Sequence, residues 1–399
     1  MKRFGWILVL LMLATPAWAA KKITVQQLKD LLSSLQTGKK GDAEVASELQ
    51  QVELSEELTR STMNSLVDFV PGPLSTVQIY VLEAKSAVLA PPASDLPATA
   101  APDAAAQKAM LDKATEYATK TLAQSPVLTA TKTTVRFQDN IEAAPAGSGM
   151  HSSAQDVSTG SALVAANLFV RYIGSTETPV TIENGAEKAS TAKDKTPWGA
   201  NGQIALQGQG PILGSVLQEA QAAGKITWLR WETVNGRQTA VFAFAVDKKK
   251  THYTVNYCCF PDVDQSGTAH FTGQMGTGAP GGKAGSGGGA KGNFQTNTNY
   301  DKYFKSTVPY HGEIFVEPET GIVLRLVTIA EFKTSDLVHQ EDQRIDYGPA
   351  TIDGKALMVP VGAVIDTEVV PNGDSGSAGK YSTRHTLFTA AYKDFKTAK

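Results

Sequence analysis

The chain has 399 residues, a formal net charge of −2, 42% hydrophobic and 19% charged residues. That length admits two or three domains, the composition supports a packed core and excludes global disorder, and the lack of a basic excess argues against nucleic acid as a partner. Two cysteines exclude a disulfide-rich scaffold and a four-cysteine zinc site.

Residues 1–19 read as a signal peptide. Lys2 and Arg3 form a positive start, Phe4 to Leu13 is apolar, Pro16 breaks the run, and Ala17-Trp18-Ala19 suits signal peptidase. The apolar run is too short to span a bilayer, which needs about 20 residues. No cysteine lies near the cut, so a lipoprotein is not expected. No later segment reaches about 18 apolar residues in a row, so no transmembrane segment is expected after cleavage. The expected location is periplasmic or secreted.

Residues 20–89 read as a small helical module. Thr24 and Gln27 form a capping-box pattern ahead of Leu28, Leu31, Leu32 and Leu35 on one helical face. Asp42 is expected to cap a second helix carrying Val45, Leu49 and Val52. Ser55 is expected to cap a third with Leu58, Met63, Leu66 and Val67. A fourth follows Pro71-Gly72-Pro73, over about 75–89. Residues 90–102 are Ala/Pro-rich and read as a semi-extended linker. A helix over about 103–123 opens the remainder, 103–399.

From Val127 the hydrophobic period changes from 3.6 to 2. Segments 127–137, 162–172 and 179–183 read as strands, and 186–201 as loop. A helix is expected from Pro211 to Ala223, stopped by Gly224. Segments 225–233, 239–246 and 251–257 then read as three hairpin-linked strands. Phe242, Phe244 and Val246 share one face of the second and Val241, Ala243 and Ala245 the other, so this strand is expected to be covered on both sides. Residues 264–299 are expected to form a flexible loop, with nine glycines between Gly276 and Gly292. Further hairpins are expected at 317–321 and at Asp353-Gly354, and a last strand at 382–392. The predicted fold class is α+β: a small helical N-terminal module, then a curved antiparallel β-sheet with packed helices.

The segments 210–231 (GPILGSVLQEAQAAGKITWLRW), 310–325 (YHGEIFVEPETGIVLR) and 346–361 (DYGPATIDGKALMVPV) resemble exported bacterial proteins of unknown function associated with Acidobacteria. Segments 24–58 and 128–139 extend that resemblance over most of the chain. More distantly, the strand–turn–strand pattern at Pro318–Arg325 resembles LolA-like periplasmic lipoprotein carriers and their relatives. That resemblance implies an unclosed antiparallel half-barrel whose apolar surface takes acyl chains or a protein partner.

Candidate chemistry is sparse. Cys258 and Cys259 are adjacent, which leaves open a vicinal disulfide, two free thiols or links between chains. Asp262-Val-Asp264-Gln-Ser266-Gly267 imitates half of a calcium loop, but Gly273 stands where the bidentate Glu is needed. The six histidines form no close ligand pair, and no metal or cofactor is expected. His339-Gln-Glu341-Asp342 reads as a solvent-facing polar run. With no nucleophile elbow or carboxylate pair to single out, the chain is read as non-enzymatic, with an undetected hydrolase as the third reading.

The candidate ligand-binding set is Trp228, Arg230, Trp231, Phe242, Phe244, Tyr253, Phe315, Leu324 and Arg325, extended by Tyr257 and Leu326. It is either ordinary core or the lining of an apolar cavity. Strand alternation predicts opposite faces for Trp228 and Trp231, with Trp231 in the pocket and Trp228 under the preceding helix. Arg230 and Arg325 would then either snorkel to the rim or pair with an acidic head group. The expected function is binding of a lipid, lipoprotein or other apolar ligand. The alternative is an envelope protein–protein interaction or structural module.

Overall fold

The computed structural model describes residues 21–138, 170–188, 205–206, 211–260, 302–372 and 383–398. The expected signal peptide, the half calcium-loop pattern, the Gly-rich segment 264–299 and most of the strand expected at 162–172 lie outside the described residues.

The N-terminal part contains helices α1 (Val25–Thr37), α2 (Asp42–Gln50), α3 (Arg60–Leu66) and α4 (Pro73–Lys85). At α1 the capping box forms in both directions. Gln27 N–H donates to Thr24 Oγ1 (3.1 Å) and Thr24 N–H to Gln27 Oε1 (2.9 Å). Two other caps differ from the sequence reading. Asp42 starts α2 as its first residue, and its carboxylate accepts from Leu74 N–H (3.0 Å), Ser75 N–H (2.8 Å) and Ser75 Oγ (2.6 Å) at the start of α4. Thr59, not Ser55, caps α3. Val52 leaves the helical pattern because strands β1 (Lys21–Ile23) and β2 (Val52–Leu54) pair in parallel. Together these elements bury Leu28, Leu32, Leu49, Leu58, Met63 and Ile79 in a core of their own.

The larger part is built on one open sheet. Its strands are β3 (Leu128–Gln138), β4 (Arg171–Glu183), β5 (Ala186–Glu187), β7 (Ile226–Val234), β8 (Arg237–Val246), β11 (Tyr310–Val316), β12 (Val323–Ala330), β13 (Val338–Ile352), β14 (Lys355–Asn372) and β15 (Thr383–Thr397). The order is β5-β4-β3-β15-β14-β13-β12-β11-β8-β7, antiparallel throughout and not closed. A second sheet has the order β10-β9-β6, from β6 (Ala205–Leu206), β9 (Thr254–Phe260) and β10 (Lys302–Thr307). The strand expected at 251–257 therefore does not continue the β7–β8 meander. It leaves the large sheet and stacks Tyr253, Val255 and Tyr257 onto it. Three consecutive strands need only local turns to pair, but the turn at 247–250 redirects this one.

Both faces of the large sheet are covered. On one, helices α5 (Ala104–Glu116) and α6 (Leu213–Ala223), with the second sheet, bury Leu213, Val216, Leu217, Phe242, Phe244, Tyr310 and Ile314. On the other, α4 and the turn after it set Val81, Ala84 and Ala87 against Phe137, Val364 and Leu387. The Ala/Pro segment carries the chain from the α4 side to α5 on the opposite side, and it contains a short 3₁₀ turn at Ala93–Asp95. Among the described residues, no helix is long and apolar enough to cross a membrane.

One turn fixes α5 to the sheet. Gly321, between β11 and β12, has φ +74°, and a Cβ there would stand 2.5 Å from the Lys113 carbonyl carbon. Lys113 Nζ also donates to Pro318 O (3.3 Å) and Glu319 O (3.1 Å). Gly321→Ala should cost roughly 2 kcal/mol, from the left-handed backbone and the displaced helix together. Urea midpoints measure this, and an unchanged midpoint would show that α5 yields freely at that turn.

Candidate functional site

The candidate residues separate onto two faces. Trp228, Trp231, Phe242, Phe244, Tyr253, Tyr257 and Leu326 belong to the α5/α6 side. Phe315 and Leu324 belong to a smaller cluster on the opposite side with Val234, Val241 and Val327. The set is therefore not the lining of one cavity. Phe242 and Phe244 are fully packed, the latter edge-on to Tyr310 at 5.8 Å between ring centres. Tyr253 meets the same Tyr310 ring at 5.6 Å.

The two tryptophans depart from the alternation argument. Trp228 is opposite Phe242 and Arg230 is opposite Val241, so Leu229 is the extra residue of a β-bulge. The bulge turns Trp231 to the same face as Trp228, because one inserted residue shifts the two-residue period by one. Their rings pack edge to face at 5.0 Å, and Trp228 also meets Phe242 at 5.6 Å. Both are half-buried. Trp231 Nε1 donates to the Ala100 carbonyl at 2.8 Å, so the Ala/Pro segment crosses this end of the sheet. Leu229, the bulged residue, is 43% exposed.

Arg230 and Arg325 each pair with acids of the chain itself. Each guanidinium lies over the Phe315 ring, at 5.8 and 5.4 Å. Arg230 donates to both oxygens of Glu313 (2.9 and 2.7 Å) and to Glu232 (2.8 Å). Arg325 donates to Asp346 (2.6 Å) and Glu57 (3.4 Å). Arg344 adds a second contact to Glu57 (2.7 Å). Glu57 precedes α3, so the network joins the helical module to the sheet. Burial pushes the Asp346 carboxyl up, but Arg344 and Arg325 overcome it and hold it below the usual range. At Glu232 burial prevails over Arg230 and Arg325, and its carboxyl lies above the usual range.

A second polar group sits on the α5/α6 side. Tyr253 OH donates to Glu341, and Tyr257 OH is 2.7 Å from Thr367 Oγ1. Gln343 (2% exposed) and Gln138 (0%) lie buried on the same side. Burial pushes Glu341 up to about 7, against the pull of the two tyrosines. On the opposite side of the same strand, burial and then Asp366 push Asp342 up to about 7. The reading of 339–342 as solvent-facing holds for His339, which is exposed, and fails for Glu341, which is 4% exposed. A strand with polar residues on both faces reads as exposed, and nothing local reveals that other elements cover it.

Cys258 and Cys259 both lie in β9. Lys302 pairs with Phe260 and Phe304 with Tyr257, so the two cysteines face one residue of β10 across a bulge. No group of three or more metal-ligating side chains occurs among the described residues.

Together these observations define an α+β protein with an open ten-stranded sheet, covered on both faces and cross-linked by buried charge. No family model matches the chain, and no curated protein matches it. A solved structure described as a DUF1329 family protein from Desulfovibrio piger aligns with 8% identity over 73% of this chain and 92% of that one, at a TM-score of 0.24. Agreement at that level assigns neither fold nor function to this chain.

Proposed function

We propose that this is an exported, non-enzymatic binding protein of LolA-like type, holding an apolar or acyl group of a lipid or lipoprotein at the Trp228–Trp231 pair. The observation that carries this reading is the pair itself: two half-buried indoles in contact at the margin of the core, crossed by the Ala/Pro segment through the Trp231–Ala100 hydrogen bond. Flat aromatic surface next to a segment with few side-chain contacts suits an apolar guest that displaces the segment. The order of positive start, apolar run and Ala17-Trp18-Ala19 supports export.

Native mass spectrometry of gently purified protein, searching for co-purified lipid, tests the reading directly. Mutants sharpen it. Trp228→Ala should cost about 3 kcal/mol, since Trp228 also supports Phe242. Trp231→Ala should cost less stability and weaken binding of a fluorescent fatty acid about tenfold. Equal destabilisation with unchanged fatty-acid binding would make both residues plain core and defeat the proposal.

One observation favours the alternative, a protein–protein module in the envelope. The packed core around Phe242 and Phe244 leaves those residues no room for a ligand. The helical module, by contrast, has an open cleft of about 290 Å³ beside Lys39, Asp68, Phe69 and Pro71. Phe69→Ala should leave fatty-acid binding intact under the first reading. Under the alternative, it should weaken cross-linking to an envelope protein.

A further inference from the structure

We propose that the end of the large sheet carrying Lys248, Lys249 and Lys250 is a docking surface for an anionic phospholipid bilayer. These are the chain's only three consecutive basic residues, and all three are exposed. The turn that presents them is fixed. Lys250 N–H and Thr251 N–H both donate to the Asp247 carbonyl, at 2.8 and 3.2 Å. Strand register places more charge at the same end: Val246 is opposite Tyr310, and Tyr310 is opposite Ala330. The segment from Glu331 to Asp336, with Lys333, therefore flanks the lysine turn.

The acids at this end are already engaged. Asp247 is held by Lys225 Nζ at 2.7 Å, Glu331 by His311 Nδ1 at 3.0 Å, and Asp336 accepts from Lys333 N–H at 2.8 Å. Among the described residues no ion pair is recorded for Lys248, Lys249, Lys250 or Lys333, so their charge is available to a partner. The chain as a whole carries −2. An anionic surface repels its average and attracts this end, which fixes the approach as well as the attraction. A phospholipid leaflet suits the feature because compact point charges on an exposed turn match a broad plane of phosphates rather than a shaped pocket. This inference does not depend on the Trp228–Trp231 reading.

Co-flotation of the full chain with vesicles tests it. Binding is expected to phosphatidylglycerol mixed into phosphatidylcholine, not to phosphatidylcholine alone, and should fall as salt is raised. Each lysine near such a surface contributes about fivefold, so K248E/K249E/K250E, which removes three attractions and adds three repulsions, should lower partitioning by at least about 100-fold. K355E/K396E, reversing two exposed lysines at the opposite end of the sheet, should bind as the parent does. An unchanged thermal midpoint and unchanged fatty-acid binding in the triple variant would separate loss of docking from misfolding and from failure of the tryptophan site. Equal binding to both vesicle types, full retention by the triple variant, or a preference for duplex DNA over vesicles would overturn the proposal.

Discussion

Glu57→Ala should destabilise the folded chain by about 3 kcal/mol, because breaking a buried ion pair leaves its partner charge desolvated. Glu57 has a side chain 6% exposed and accepts from Arg344 Nη1 at 2.7 Å and Arg325 Nη1 at 3.4 Å. Arg344 Nη1 keeps a bond to the Ala87 carbonyl (3.2 Å), and Arg325 keeps Asp346, so neither guanidinium is wholly stranded. That retention places the expected cost at the low end of the 3–5 kcal/mol typical of such pairs. The residues belong to different parts of the chain: Glu57 to the helical module, Arg325 and Arg344 to adjacent sheet strands. The loss should therefore appear as weakened attachment of the module, with proteolysis between α2 and α4 accelerating before the sheet unfolds. A double-mutant cycle with Arg344→Ala isolates the pair, and a coupling near zero would show that apolar packing alone holds the module.

Periodicity made much of the framework legible. The α1 capping box, the helix ending at Gly224 and the hairpin at Asp353-Gly354 all rest on interactions within a few residues, which sequence displays directly. Gly224 takes φ +67° as a helix stop requires, and Asp353 and Gly354 take +49° and +76° as a two-residue hairpin requires. The features that were not legible depend on contacts distant in sequence. Asp42 reads as the cap of its own helix until α4 is brought beside it, 32 residues on. The bulge at Leu229 has no glycine or proline to announce it, yet it decides which way Trp231 points. Residues 338–346 carry charge on both faces. Only the α4 side and the second sheet, brought together by the fold, convert those charges from a solvent signature into a buried network.

The same burial gives an unusual dependence of stability on pH. Glu341 moves from an ordinary value of 4.5 to about 7 in the folded chain, with burial as the principal cause. Its surroundings are the hydroxyls of Tyr253, just before β9, and Tyr257 within it, and Thr367 from β14, with Asp342 adjacent on its own strand. Between pH 4.5 and 7 the folded state binds more protons than the unfolded state, so stability must fall as pH rises through that window and level off above it. A shift of this size corresponds to roughly 3 kcal/mol. Asp342, moved from 3.8 to about 7, pulls in the same direction. Asp346 opposes them only at the acid end. Its lowered value contributes stability above its ordinary 3.8 that is lost as pH falls below it. As far as these three groups decide it, the chain should accordingly be most stable near pH 4 and weaker at pH 8. Glu341→Gln keeps an acceptor for Tyr253 and removes the titration. It should therefore be nearly neutral at pH 4 and stabilise the chain at pH 8 by up to about 3 kcal/mol. Urea midpoints for parent and variant across this range provide the measurement. If the difference between them does not change with pH, Glu341 is ionised throughout, and the tyrosines together with water already compensate its burial.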